Sequence, residues 1–498
     1  MTTRLLFTLS ICISAVFCRS ITVYVPQDTT CETRTPGPSG RLGYVPSPDG
    51  RGTLQILWGS IFALFLCSWS ALFLHVPAPT DTQIRIFRRR FLLTGLVVLA
   101  PELLFAGGLN QWLSARRSVR AFRDSGEQGW TMTHAFFADS GGFVLDAPDR
   151  APFPLNGKQL HFLVMRGYVD MPRLSRKQIE DKNKVDRMLR AVTLWQIFWF
   201  SVNIAARLAV QLPITTLELT TFAFIVCSSL TSLLGFMKPA DVRTSEVIKC
   251  KYTIEHIVNT AIVEKTNFGT YKDPKVFRFT PLDFISREEW HWSILWSNWI
   301  NLACLILRVD PSHAHPRGDR IMNTYTIPFK GLIYGLLLGV SYIYGSIFLL
   351  AWNHKFPSET EQLIWRICSI SVLLSMMLYD LVEKFGFRWW PAIRARYLAD
   401  KLWYKNLRNR FYFWEPRHPF LKRVHNFVNR ALKWLRNNSP GQHKELDVPL
   451  KVAIPMYFLG AVYLLSRGTI LILDFIELRS LPPEAYETVD WSSMLPHM

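Results

Sequence analysis

Residues 191 to 241 constrain this chain more than any other stretch. The segment AVTLWQIFWFSVNIAARLAVQLPITTLELTTFAFIVCSSLTSLLGFMKPAD holds two apolar runs, 191–211 and 214–235, each long enough to cross a bilayer. Backbone in hydrocarbon must satisfy its own polar groups, so runs of this kind fold as helices. Pro213 suits the first turn of a helix and disfavours continuation of the preceding one, so the pair reads as a hairpin folded at Leu212-Pro213. Arg207, Gln211 and Glu218 fall where lipid would penalise them. Two readings stay open for them: one Arg207–Glu218 pair that fixes helix packing, or a buried polar site.

Further runs of the same kind follow from the pattern. They cover 54–75, 92–113, 290–308, 331–352, 362–382 and 452–475, the last containing Arg467 and Asp474. With the central hairpin the expected fold class is all-α, a polytopic membrane bundle of about eight transmembrane helices, with seven as the alternative if 290–308 lies in the interface. A composition of 49% hydrophobic and 14% aromatic residues agrees with a membrane protein rather than with several soluble domains. Residues 1–20 have the basic start and short apolar run of a signal peptide or signal anchor, and 21–53 read as an irregular lumenal segment. The eight cysteines are too scattered for a disulfide framework.

The net charge of +19 is carried mostly by residues that flank or link apolar runs, which points to anionic lipid and the positive-inside bias and away from nucleic acid. Eight crossings would place the basic linkers 76–91, 309–330 and 384–450 on the cytoplasmic side and the polar excursion 114–190 in the lumen. Within 114–190, Trp130 to Phe137 suggests a short interfacial helix and Ser140-Gly141-Gly142 a turn. A second excursion, 242–289, shows no clear periodicity. The basic aromatic stretch 384–450 has the pattern of amphipathic helices lying on an anionic leaflet.

The chain lacks aspartate-rich diphosphate motifs, a series of histidine boxes, a Walker loop, a dinucleotide glycine fingerprint and a nucleophile elbow in a credible context. His313 and His315 form a lone loop pair, and no metal or cofactor is expected. What remains is a set of acids in apolar surroundings: Glu102 beside Pro101, Glu218, and the less secluded Asp139, Asp241 and Asp380. Burial disfavours the charged form of a carboxyl, which leaves a proton donor at neutral pH. Aromatic faces stabilise a developing cation. Such a donor in a dry aromatic pocket suits protonation of an epoxide or alkene, and it equally suits proton-coupled transport.

Several short motifs carry a resemblance across most of residues 50 to 245. They are Arg51-Gly52-Thr53 with Trp58 and Trp69, Pro101-Glu102, Trp130-x-x-x-His134-Ala135-Phe136-Phe137, Gly141-Gly142-Phe143, Leu212 to Leu219, and Lys238-Pro239-x-Asp241-Val242. In these the chain resembles a large group of fungal integral membrane proteins that includes membrane-bound terpene cyclases of meroterpenoid pathways, of the ascofuranone and macrophorin type. The resemblance implies cyclisation of a farnesyl chain on an aromatic or cyclohexenone head, started by protonation and without diphosphate release or metal. It implies as partners a prenylated small-molecule substrate, the lipid bilayer and other pathway enzymes in the same membrane, with the endoplasmic reticulum as the location. Among the chain's own residues, Glu102 is the expected general acid and Glu218 a second acid or terminal base. Arg207 and His134 are expected to orient those carboxyls or set their protonation, and Asp241 completes the candidate set. The alternative is a transporter or export component with no chemistry of its own.

Overall fold

The computed structural model describes residues 42–46, 51–72, 74–78, 80–182, 187–239, 242–264, 280–286, 329–398, 419–438 and 447–489, together with 294–295, 297–299, 301–302 and 321. The expected leader, Asp241, His313, His315 and most of the expected span 290–308 lie outside the described residues.

The chain is mostly helical, at 71%, so the expectation of a helical bundle holds in its coarse form and needs one addition, a small sheet. The long helices are α1 (Thr53–Ala71), α2 (Gln83–Leu99), α3 (Pro101–Asp124), α7 (Arg187–Ala209), α8 (Thr216–Leu234), α10 (Gly331–Ile347), α11 (Glu359–Lys384), α12 (Pro419–Arg436) and α13 (Leu450–Glu477). Five helical stretches are long and apolar enough to cross a membrane: Thr53–Ala71, Thr216–Leu234, Gly331–Ala351, Glu359–Tyr397 and Leu450–Glu477. Their exposed surfaces carry Trp58, Phe62, Leu363, Ile367, Phe458 and Leu465, the residue types that a lipid-facing surface requires.

The expected span over 92–113, with Pro101-Glu102 at its centre, is sharply bent. The chain breaks at Ala100, and α2 and α3 meet at 113°. Pro101 explains the break: it has no N–H to continue the ladder of α2, and it opens α3 at the position where proline is best tolerated. Both ends of the pair emerge at one end of the bundle. At the α2 start, Arg243 donates to Gln83 at 3.0 Å, and at the α3 stem Lys238 donates to Gln111 at 2.8 Å, both donors coming from the segment that follows α8. The apex reaches the bundle's middle, where Glu102 acts on Cys227 of α8. Gly108 permits this packing, because a Cβ there would sit 2.8 Å from Thr231 Cγ2.

The described parts of the polar excursions 114–190 and 242–289 fold together as a subdomain at that same end. It contains α4 (Met132–Asp139), β1 (Phe143–Ala147), β2 (Arg150–Leu155), α5 (Gly157–Met165), α6 (Arg176–Asp181), β3 (Glu246–Lys249) and α9 (Ile254–Val263). The three-stranded sheet runs β2-β1-β3, with β1 antiparallel to β2 and parallel to β3. The helix expected over Trp130–Phe137 is present as α4, but it lies in a core and not at an interface: Ala135, Phe136 and Phe137 are fully buried against Phe122, Phe143 and Leu160. The turn expected at Ser140-Gly141-Gly142 is formed, with Gly141 at φ 84°. A Cβ on Gly142 would meet the Phe137 ring at 2.5 Å, so only glycine lets β1 start there.

This arrangement also changes the expected topology. Val76 N donates to Ser140 O at 2.8 Å, so the basic linker 76–91 and the 114–182 segment share one end of the bundle and are not on opposite sides. Helix α13 runs antiparallel to α8, with Glu477 at Thr216 and Arg467 acting on Cys227, so the α13 start lies at the subdomain end too. The opposite end, here the tail end, joins the bridge Leu42–Leu481 to the turn Pro483–Tyr486.

Candidate functional site

The residues that stand out chemically lie in the middle of the bundle. Spacing along α13 puts Tyr463, Arg467, Ile470, Asp474 and Glu477 on one buried face. Arg467 and Asp474 are fully buried. The guanidinium carbon of Arg467 lies 4.6 Å from the Phe348 ring centre and 5.8 Å from that of Tyr344, so two aromatic faces receive its charge. Asp474 acts on Arg467 from one side and the Tyr344 hydroxyl from another. Glu102 enters from the break. It occupies the first turn of α3, where helix N-termini favour acids, and the Tyr463 hydroxyl faces it. That hydroxyl also donates to Leu99 O at 3.4 Å, one of the carbonyls that the break leaves without a helical partner.

Buried polar atoms are nearly always hydrogen-bonded. Here several are not. Among the described residues, the Arg467 guanidinium faces the Tyr344 hydroxyl and Asp474 faces the Thr216 and Thr220 hydroxyls, all outside good hydrogen-bonding geometry, and Glu102 Oε2 meets no partner. They come from α3, α8, α10 and α13 and are spread along about two turns of α13, from Arg467 to Asp474. Polar groups this deeply buried and this loosely paired give the interior the character of a site that binds something polar.

The expected site residues are distributed differently. Glu218 is not paired with Arg207. It closes the α8 N-terminus, accepting from Thr215 N at 3.1 Å and Thr215 Oγ1 at 2.9 Å, and it forms an ion pair of 2.5 Å with Arg51. Arg207 instead donates to the carbonyls of Pro213, Ala485 and Glu487, at 2.8, 3.1 and 2.7 Å, which pins the tail segment to the hairpin. His134 caps α4 through Thr131 and reaches Leu174 O at 2.8 Å, inside the subdomain. Neither Arg207 nor His134 therefore orients Glu102, and Glu218 stands about 14 Å along α8 from the level of Cys227. Asp380 bonds Tyr334 and accepts from Lys384 at 2.7 Å. Of the expected residues that the structure describes, only Glu102 reaches the central site.

Two further polar groups flank it. Towards the subdomain, Lys238 donates to Gln111, Gln111 lies 3.4 Å from His75 Nε2, and Asp139 acts on Lys238. Burial pushes Lys238 down to about 7, opposed by Asp139, and pushes His75 down to about 3 with help from the Lys238 charge. Burial raises Asp139, although Gly157 N donates to it at 2.9 Å. Towards the tail, Glu477 accepts from Thr216 N at 2.9 Å and also bonds the Thr216 hydroxyl and His354.

Arg467, Asp474 and Tyr344 were absent from the expected set. The usable signal was the seven-residue spacing of Arg467 and Asp474, which puts opposite charges on one face of an apolar helix. Among the described residues, no group of three histidine, cysteine or acidic side chains is placed to hold a metal ion.

Residues 27–265 match a family of unknown function, DUF8562. No curated protein and no solved structure matches the chain. The matched region contains the subdomain, the α2–α3 break and Glu102, whereas Tyr344, Tyr463, Arg467 and Asp474 come from the remainder.

Proposed function

We propose that this chain is a membrane-bound terpene cyclase of the endomembrane system, closing rings in the prenyl chain of a meroterpenoid precursor. One observation supports the reading above the others: a carboxyl at a helix break, Glu102, faces an interior of aromatic rings and loosely paired polar atoms. In the proposed step the Glu102 O–H gives its proton to the oxygen of a terminal epoxide, or to a terminal alkene carbon. The epoxide C–O bond breaks, or the alkene π bond is consumed, and a cation develops on the tertiary carbon. The π pair of the neighbouring alkene forms the new C–C bond, and the last cation loses a proton to a carboxylate. Asp474 is better placed than Glu218 to accept it, because Glu218 is engaged by Arg51 and Thr215. The Tyr344, Phe348 and Tyr463 rings would stabilise the cation, and the Arg467 donors would hold the oxygen of the head group. One proton enters and one leaves, so product and substrate have equal mass.

The experiment feeds farnesylated phenols or cyclohexenones, with and without a terminal epoxide, to microsomes containing the protein. A product of unchanged mass and shifted retention supports the reading. Failure to convert any precursor, with the protein shown to be folded, removes it.

Proton-coupled transport is the second reading, and a specific observation favours it. Polar groups continue from Glu102 towards both ends of the bundle, through Gln111 and Lys238 on one side and through Asp474, Glu477 and His354 on the other. A break in mid-helix beside such a path is also a transporter feature. Uptake of an unaltered solute into proteoliposomes, driven by a pH gradient, would establish it.

A further inference from the structure

At the subdomain end, the helix of α11 continues through Phe385–Trp389, Trp390–Ile393 and Arg394–Leu398 alongside the start of α13. The two elements approach closely at Gly386, where a Cβ would lie 2.1 Å from Val452 Cγ2. Beside that contact they diverge and leave a groove of about 540 Å³, lined by Phe387, Trp390, Pro391, Arg394, Pro449 and Lys451. Lys451 Nζ stands 4.4 Å from the Trp390 ring centre, and the charge of Arg394 acts on it from the other wall. Neither cation forms an ion pair with a carboxylate among the described residues. Two like charges held together without a counter-charge are an unfavourable arrangement that an anion would relieve.

The surroundings specify which anion. The groove opens where the apolar run of α13 begins, and Phe385, Trp389 and Ile393 leave an exposed apolar surface beside it. Helix α12 lies nearby: Arg436 pairs with Asp447 at 3.1 Å, and Val448 N donates to Arg436 O, so the C-terminus of α12 is fixed to the residues that precede α13. No α12 residue is buried, and Phe420, Val424 and Phe427 form an exposed stripe on a helix that also carries Lys422, Arg423, Arg430 and Lys433. A helix of that composition settles at an anionic lipid surface. We infer that the groove between Trp390, Arg394 and Lys451 binds the phosphate of one anionic phospholipid, whose acyl chains run along the apolar surface at Phe385, Trp389 and Ile393.

The test uses the full chain purified in detergent and native mass spectrometry with equal amounts of phosphatidylserine and phosphatidylcholine. Two cations at the headgroup predict a preference of about thirtyfold for the anionic lipid. The double variant Arg394→Gln, Lys451→Gln, both at exposed positions, should bring the preference to within about twofold, while Arg423→Gln with Arg430→Gln on α12 should keep it. Equal retention of both lipids by the wild type overturns the inference, as does an unchanged preference in the double variant. Displacement of the retained lipid by millimolar inorganic phosphate also overturns it, since the groove would then be a site for free phosphate compounds. Wild-type retention that survives inorganic phosphate supports it.

Discussion

Lys238 Nζ donates a 2.8 Å hydrogen bond to Gln111 Oε1, and this bond ties the segment after α8 to the stem of the broken α2–α3 pair. It joins the end of α8 to α3 in a place from which water is excluded, since Lys238 is only 2% exposed. A lysine in such a place is costly when charged. Asp139 offsets part of that cost, and Gln111 supplies an acceptor.

The pH dependence follows with a definite sign. Lys238 is held at about 7 mainly by burial, well below the ordinary lysine value. Between those values the folded state binds fewer protons than the unfolded chain, so stability rises with pH through the window from about 7 to about 10.4. Burial raises Asp139, so its own contribution has the opposite sign and falls as pH rises. His75, at about 3, stays neutral throughout the lysine window. Melting temperatures in detergent should therefore show Lys238→Met gaining most over wild type at pH 7 and losing that gain by pH 10. A difference that does not change with pH would place Lys238 in contact with solvent.

Glu218 is expected to act as a structural residue. Its carboxylate closes the first turn of α8 and pairs with Arg51, so Glu218→Gln should cost about 2 kcal/mol, the range for a hydrogen-bonded charge at a helix start. Activity per folded molecule should stay near wild type. Loss of activity without loss of melting temperature would return Glu218 to the reacting centre.

Glu102→Gln should behave in the opposite way. The amide matches the carboxyl in shape and cannot supply a proton, so turnover in the microsome assay should fall below detection while the protein accumulates normally. Full conversion by this variant would exclude Glu102 from the mechanism.

The helical hairpin, the apolar runs and the isolation of Glu102 were legible in the sequence because each depends on local pattern: run length, a proline, an acid among apolar neighbours. The partners were not legible. Arg207 and Glu218 are near in sequence and on consecutive helices, which made them an obvious pair, yet Arg51 and the 484–487 carbonyls compete for them from distant parts of the chain. The sheet was hidden because β1 pairs in parallel with β3 across the whole central hairpin, a contact that local alternation does not reveal. The break at Ala100 was signalled by Pro101, but proline in an apolar run does not distinguish a kink from a 113° reversal. Residues 76–91 and 114–182 share one end because of that reversal.

Arg467 and Asp474 offer the sharpest separation of folding from function. Each is fully buried and, without a direct ion pair, each charge still acts on the other, so removing one leaves the other less compensated in a low-dielectric interior. Leaving one buried charge without its opposing charge is destabilising, whereas replacing both by neutral groups of similar volume is often tolerated. Arg467→Met alone and Asp474→Asn alone should each lower the melting temperature and the amount of protein recovered from membranes. The double variant should recover both. It should not recover turnover, because the proposed head-group donor and terminal base are both gone. If the double variant regains stability and activity together, the pair serves packing alone, and the reacting centre lies with Glu102 and the aromatic rings.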